Sequence, residues 1–241
     1  MGIFEKNYTV NLTHLNSSNV ISNRGILSIL EDVACSHSDI SGFGINDIEK
    51  THLTWVLLSW KVKVFKRVKY GTTVNVHTWA KKAKRFSTTR DFEMLDKDGN
   101  VLCIATTKWT LINADTSNLT PITDEIISVY HPDERNVFES PEIEKLTEPQ
   151  NFSNEFTYKI QRRDIDVNKH VHNLNYLSFA YETLPNNIYE ADECNNIEIM
   201  YKKATKLGET IKCFYSYSDN ANFITIKSED EKSLHAIVKL Y

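Results

Sequence analysis

From Asn23 to Ile40 the chain reads NRGILSILEDVACSHSDI, and Ile26, Leu27, Leu30, Val33 and Ala34 fall on one stripe at helical spacing. The glycines of SGFG, which follows, suit a helix C-terminus. Apolar and polar residues then alternate through TWVLLSWKVKVF, TTVNVHTWAKKA, STTRDFEML and NVLCIATTKWTLI, all rich in β-branched and aromatic residues and joined by turn signals such as DKDGN. The pattern predicts a helix followed by four strands. It recurs later: a helix over Asn173 to Leu184, then strands in NIEIMYKKA, ETIKCFYSYS, FITIKSE and SLHAIVKLY.

The two series can be laid over each other. KVKVFKRVKYGTTVNV (Lys61 to Val76) matches EIMYKKATKLGETIKC (Glu198 to Cys213), with Gly71 on Gly208, and NVLCIATTKW overlies KSLHAIVKLY. Between them, Pro132 to Pro149 is acidic, without periodicity, and holds three of the five prolines, which predicts an extended linker. A single antiparallel sheet needs its apolar face covered, and a helix packed across it does so. The expected fold is therefore α+β, a duplicated unit in which a sheet wraps a long helix.

Composition narrows the function. With 241 residues and 41% hydrophobic content, two real cores are affordable. No apolar run approaches the ~18 residues that span a bilayer, and MGIFEKNYTVNLTHLN lacks a signal-peptide pattern, so a cytoplasmic location is expected. A net charge of −4 argues against a nucleic-acid partner. Cys35, Cys103, Cys194 and Cys213 form no CxxC, so the sequence implies neither a metal site nor a redox pair, and no cofactor. HVH (His170, His172) without further ligands is too little for a metal.

One stretch carries chemistry. DIDVNKHVHNLNY (Asp164 to Tyr176) gathers Asp166, Asn168 and His170 immediately before the second helix. Asp and Asn there are ordinary caps and turn formers. An imidazole beside them adds a group that moves protons near neutral pH, and the first helical amides, Val171 and His172, are candidate oxyanion donors.

With that motif, the chain resembles the acyl-acyl carrier protein (acyl-ACP) thioesterases, whose pattern before the second long helix is DxDxNxHVNNxxY. TWVLLSWKVKV, KYGTTVNVHTW and RDFEMLDKDGNVLCIATTKWTLIN extend the likeness over nearly the whole chain. The resemblance implies two tandem hotdog domains, each a long helix wrapped by an antiparallel β-sheet. Residues 1–130 would form the first, with the acyl-chain cavity; 131–152 a linker; 153–241 the second, with the catalytic motif. It implies hydrolysis of fatty acyl-ACP, releasing free fatty acid and ending chain elongation, with Asp166, Asn168 and His170 catalytic. Plant members carry a transit peptide that this chain lacks, which points to a bacterial member. A family Glu falls at Ala204 and a family Cys at Thr205, leaving Glu198 or Glu182 to supply a carboxylate. The partner would be acyl carrier protein, which is acidic, so a basic docking face is expected from Lys81, Lys82, Lys84, Arg85, Arg162 and Arg163, with Lys169 beside them. The tryptophans 55, 60, 79 and 109 read as core. Competing readings are an acyl-CoA thioesterase, a catalytically weak acyl-binding protein and a hotdog dehydratase. A homodimer is compatible with the sequence.

Overall fold

The computed structural model describes residues 2–190 and 194–241. The chain forms two compact units, Met1–Ile143 and Glu144–Tyr241. In the first, β1 (Phe4–Thr9) precedes α1 (Asn23–Ile40) and α2 (Ile48–Thr51). β2 (Leu53–Val64), β3 (Thr73–Ala80), β4 (Thr88–Leu95), β5 (Val101–Asn113), the short β6 (Leu119–Thr120) and α3 (Asp124–Ser128) follow. In the second, β7 (Asn154–Lys159) precedes α4 (Asn173–Thr183) and α5 (Asn186–Tyr189). β8 (Asn196–Tyr201), β9 (Thr210–Ser218), β10 (Ala221–Ser228) and β11 (Leu234–Leu240) follow.

Both sheets are antiparallel with one topology, β1-β3-β4-β5-β2 in the first unit and β7-β9-β10-β11-β8 in the second, and β6 adds to β5. The leading strands β1 and β7 pair with β3 and β9 across the helix. Each is short and polar on alternate residues (FEKNYT, NEFTYK), too weak a pattern to single out from sequence alone. The apolar stripe of α1 is buried as its spacing predicts: Ile26, Leu27, Leu30 and Val33 are at most 1% exposed. Ser22 caps α1 by accepting the Gly25 amide at 2.9 Å. Gly25 has no substitute there, because a Cβ would lie 2.2 Å from the His14 carbonyl oxygen. Gly71 and Gly208, matched in the sequence overlay, both adopt left-handed φ (76° and 84°) at the turn into the second strand after the helix.

The other overlay is one residue out. Val64 pairs with Cys103, and its counterpart Tyr201 pairs with Ala236, so Cys103 corresponds to Ala236 rather than to His235. The ladders slip at Met94/Leu95 and at Ile226/Lys227, and a slip of one residue exchanges the faces.

Residues 131–152 are no loose linker. The Asp133 amide donates to the Ala80 carbonyl and the Val137 amide to Asp91 Oδ2, fastening this part to the first unit. In the second unit Leu146 packs with Met200, Ala221, Phe223 and Ile237, and Glu148 pairs with Lys227 at 2.5 Å. Phe223 and Ile237 lie on the sheet face opposite Cys213, which bonds Thr183 of α4. The acidic stretch therefore covers the face that the helix leaves open.

Trp60 and Trp79 are at most 1% exposed, and Trp55 donates to the Tyr130 hydroxyl at 2.9 Å. Nearby, Arg90 is buried and donates to His37 Nδ1 at 2.9 Å. Burial, then the charge of Arg90, hold the His37 imidazole down to about 3, so it stays neutral and accepts that bond.

Candidate active site

The Asp-Asn-His motif forms a tight turn ahead of α4. Asp166 Oδ1 accepts the amide hydrogens of Asn168 at 2.8 Å and His170 at 3.2 Å, and the Asp166 amide donates to the His170 carbonyl at 2.8 Å. Lys169 supplies the left-handed residue that closes the turn, φ 62°. Asn168 is exposed and His170 half-buried, and neither side chain has a hydrogen-bond partner among the described residues. The turn thus leaves an amide and an imidazole side chain unengaged, while one Asp166 oxygen builds the turn.

The first unit carries the same turn without the chemistry. Asn16 Oδ1 accepts the amides of Ser18 at 3.0 Å and Val20 at 3.3 Å, and Asn19 is left-handed at φ 60°. Capping therefore explains an Asx side chain at 166. It does not explain Asn168 and His170, which replace Ser18 and Val20.

The amides of Val171 and His172 do not have the expected oxyanion role in this conformation. Val171 donates to the Thr205 carbonyl and His172 to the Asp164 carbonyl, both at 2.9 Å. His172 is the N-cap, its Nδ1 accepting the Leu174 amide at 3.4 Å, and the Asn175 amide donates to the His172 carbonyl. The amide of Asn173 is the one in this stretch without an acceptor among the described residues, and it sits at the positive end of α4.

The strand expected through Ala204 ends at Tyr201, after which the amides of Lys202 and Lys203 both turn to the His235 carbonyl, at 2.8 and 3.4 Å. Ala204 is exposed and outside the ladder. At the matching place in the first unit, Arg67 reaches the Ile21 carbonyl at 3.1 Å and Asn23 Oδ1 at 2.8 Å, so a long side chain from here meets the start of the helix. The two expected substitute carboxylates have other surroundings. Glu198 is committed to Tyr241 at 2.9 Å and Lys239 at 3.4 Å. Glu182 is exposed near the other end of α4, about 14 Å along the axis from its start at 1.5 Å per residue. Ala204→Glu should therefore raise turnover several-fold by placing a carboxylate beside the His170 turn, with His170 still required. An unchanged rate and pH profile in steady-state assays would show that the side chain does not reach it.

The residues expected to dock a partner separate. Lys81 is a buried ion pair, its Nζ 2.9 Å from Asp91 Oδ2 with side chains 8% and 1% exposed, and it cannot meet a partner. Lys82, Lys84 and Arg85 are exposed on the first unit, and Arg162, Arg163 and Lys169 on the second. Three more exposed cations, Lys202, Lys203 and Lys206, lie on the segment whose Thr205 carbonyl holds Val171. Sequence reading passed over them because spacing alone does not fold 202–206 against 166–171.

The paired helix-and-sheet units define a tandem hotdog fold. In solved structures the whole architecture recurs in an acyl-ACP thioesterase from Bacteroides thetaiotaomicron (TM-score 0.85, 23% identity, 99% of this chain and 97% of that one). It recurs also in the 12:0-ACP thioesterase from Umbellularia californica (TM-score 0.87, 20% identity, 100% and 96%). The sequence models of the acyl-ACP thioesterase N-terminal domain and C-terminal domain match residues 2–130 and 147–239. The chain belongs to the acyl-ACP thioesterase family. Among curated relatives it is 26% identical to oleoyl-acyl carrier protein thioesterase 1, chloroplastic, of Arabidopsis thaliana over 86% of this chain, and 30% identical to thioesterase 2 of the same plant over 74%. It spans 62% and 53% of their lengths. No helix among the described residues is long and apolar enough to cross a membrane.

Proposed function

We propose that this protein hydrolyses the thioester of fatty acyl-ACP, releasing free fatty acid, in the cytoplasm. The observation that carries this reading is the His170 turn: in a chain of this family, the turn shared by both units bears an unengaged imidazole and amide in the second unit only. Thioester hydrolysis requires a water to lose a proton, a carbonyl oxygen to gain charge and a thiolate to leave. His170 takes the proton. Asn168 offers both a donor and an acceptor to the water or the carbonyl. The Asn173 amide, at the positive end of α4, supplies a donor for the oxyanion. Asp166 fixes where Asn168 and His170 stand.

The test is steady-state hydrolysis of matched acyl-ACP and acyl-CoA panels by the purified protein. Faster turnover of the carrier-bound series supports the proposal. Preference for CoA supports the acyl-CoA reading, and binding without turnover an acyl-binding protein.

Exposed Arg162, Arg163, Lys169, Lys202, Lys203 and Lys206 flank the turn in the second unit and suit an acidic carrier protein. Added salt shortens the Debye length from ~10 Å at 0.1 M. The association rate with acyl-ACP should therefore fall as salt rises, with acyl-CoA hydrolysis changing less. Lys202→Glu with Lys203→Glu should flatten the salt response. Equal salt dependence for both substrates would remove the docking surface.

A further inference from the structure

The turns of the two units match residue for residue, so the layer beneath each can be compared directly. At the matching places on α1 and at and after the end of β2 the first unit has Ile26, Ile29, Val64 and Val68, all buried. In the second unit, the matching residues are Tyr176, Phe179, Tyr201 and Thr205. Three aliphatic side chains have become hydroxyl-bearing ones, and the fourth has become a phenyl ring.

The hydroxyls bond to the segments that hold the turn. The Tyr176 hydroxyl lies 2.8 Å from Thr205 Oγ1 and accepts the Thr205 amide hydrogen at 3.2 Å. Thr205 is fully buried, and its carbonyl accepts the Val171 amide at 2.9 Å. The Tyr201 hydroxyl donates to the carbonyl of Asn173, the first residue of α4, at 3.1 Å. The rings of Tyr176 and Tyr201 meet edge to face, centroids 5.6 Å apart. Asp166 is near enough to Tyr176 for its charge to help raise the phenol pKa, after burial, the largest cause.

The fold does not require this layer, because the first unit forms the same turn with Ile26 and Val68 at these places and keeps the equivalent bond, Ile21 amide to Val68 carbonyl at 2.8 Å. Burying hydroxyls has a desolvation cost that aliphatic residues avoid. The polar layer occurs under the turn that bears His170.

We infer that Tyr176, Thr205 and Tyr201 are positioning residues, a hydroxyl layer that fixes the His170 turn and the first amide of α4 relative to each other. The inference rests on the function proposed above for that turn. The layer acts through direction: a hydrogen bond sets distance and angle, whereas aliphatic contact permits sliding. A displacement of about 1 Å at a reacting group can cost about 10²-fold in rate.

The experiment transplants the first unit's solution. Tyr176→Ile with Thr205→Val installs the pair that the first unit has at these places, and Tyr176→Phe with Tyr201→Phe removes hydroxyls while keeping the rings. Two readouts are taken on variants that keep native circular dichroism. Hydrogen exchange at the Val171 and His172 amides should accelerate at least tenfold, with Ile21 and Ser22 of the first unit unchanged. With acyl-ACP, kcat should fall about 10–10²-fold with KM within about twofold. Thr205→Ser, which keeps the hydroxyl, should restore the protection lost in Thr205→Val. Unchanged exchange at Val171 and His172 in both multiple variants overturns the inference, as does faster exchange with unaltered kcat. If the unsubstituted protein hydrolyses no thioester, the proposed function fails, and exchange alone then decides whether the layer orders the turn.

Discussion

His170→Ala is expected to lower turnover of acyl-ACP by about 10²–10⁴-fold, the usual worth of a positioned acid or base. The imidazole is half-buried and has no hydrogen-bond partner among the described residues, so its removal orphans nothing. Stability should stay within about 0.5 kcal/mol. The backbone atoms of His170 hold the turn, through its amide to Asp166 Oδ1 and its carbonyl to the Asp166 amide, and alanine keeps both. Asn168→Ala should behave similarly, since only the Asn168 amide enters the turn. Initial rates and a thermal melt check both statements, and near-normal turnover in His170→Ala would sink the catalytic assignment.

The largest effect on stability is expected in the first unit. Asp91 is 1% exposed and accepts from Lys81 at 2.9 Å, from Thr106 Oγ1 at 2.7 Å and from the Val137 amide at 3.1 Å. Asp91→Ala leaves the buried Lys81 ammonium without a counter-charge, with the neutral Arg135 carbonyl and Asn136 Oδ1 as acceptors, and removes the bond that ties Val137 to the sheet. A cost of about 3–5 kcal/mol follows from breaking a buried pair on one side only. Lys81→Met with Asp91→Leu removes both charges and should recover much of that loss. All four tryptophans fall in the first unit, so the denaturant midpoint followed by their fluorescence reports on that unit alone. A midpoint unmoved by Asp91→Ala would show that the pair contributes nothing to the unit's stability.

Lys81 also shows where sequence reading stops. KKAKR is a run of cations, and nothing in the run says that its first member turns inward. That depends on β3 ending at Ala80 and on Asp91 lying across the ladder, beside Trp79. In the same way, Lys202, Lys203 and Lys206 became part of the motif's surroundings only when the Thr205 carbonyl met the Val171 amide.

By itself the sequence determined the two long helices, the strands that follow each, the duplication and the turn bearing Asp166, Asn168 and His170. Each of these is local: a 3.6-residue stripe, a two-residue alternation, or side chains that bond the backbone within four residues. Tertiary structure decided the rest. It drew the weakly patterned strands β1 and β7 into the sheets, set the one-residue offset between Cys103 and Ala236, and laid 131–152 over the open sheet faces. It also left Val171 and His172 without a free amide. These outcomes depend on which distant carbonyl, edge or bulge each residue meets, and a periodic pattern along one chain holds no record of that.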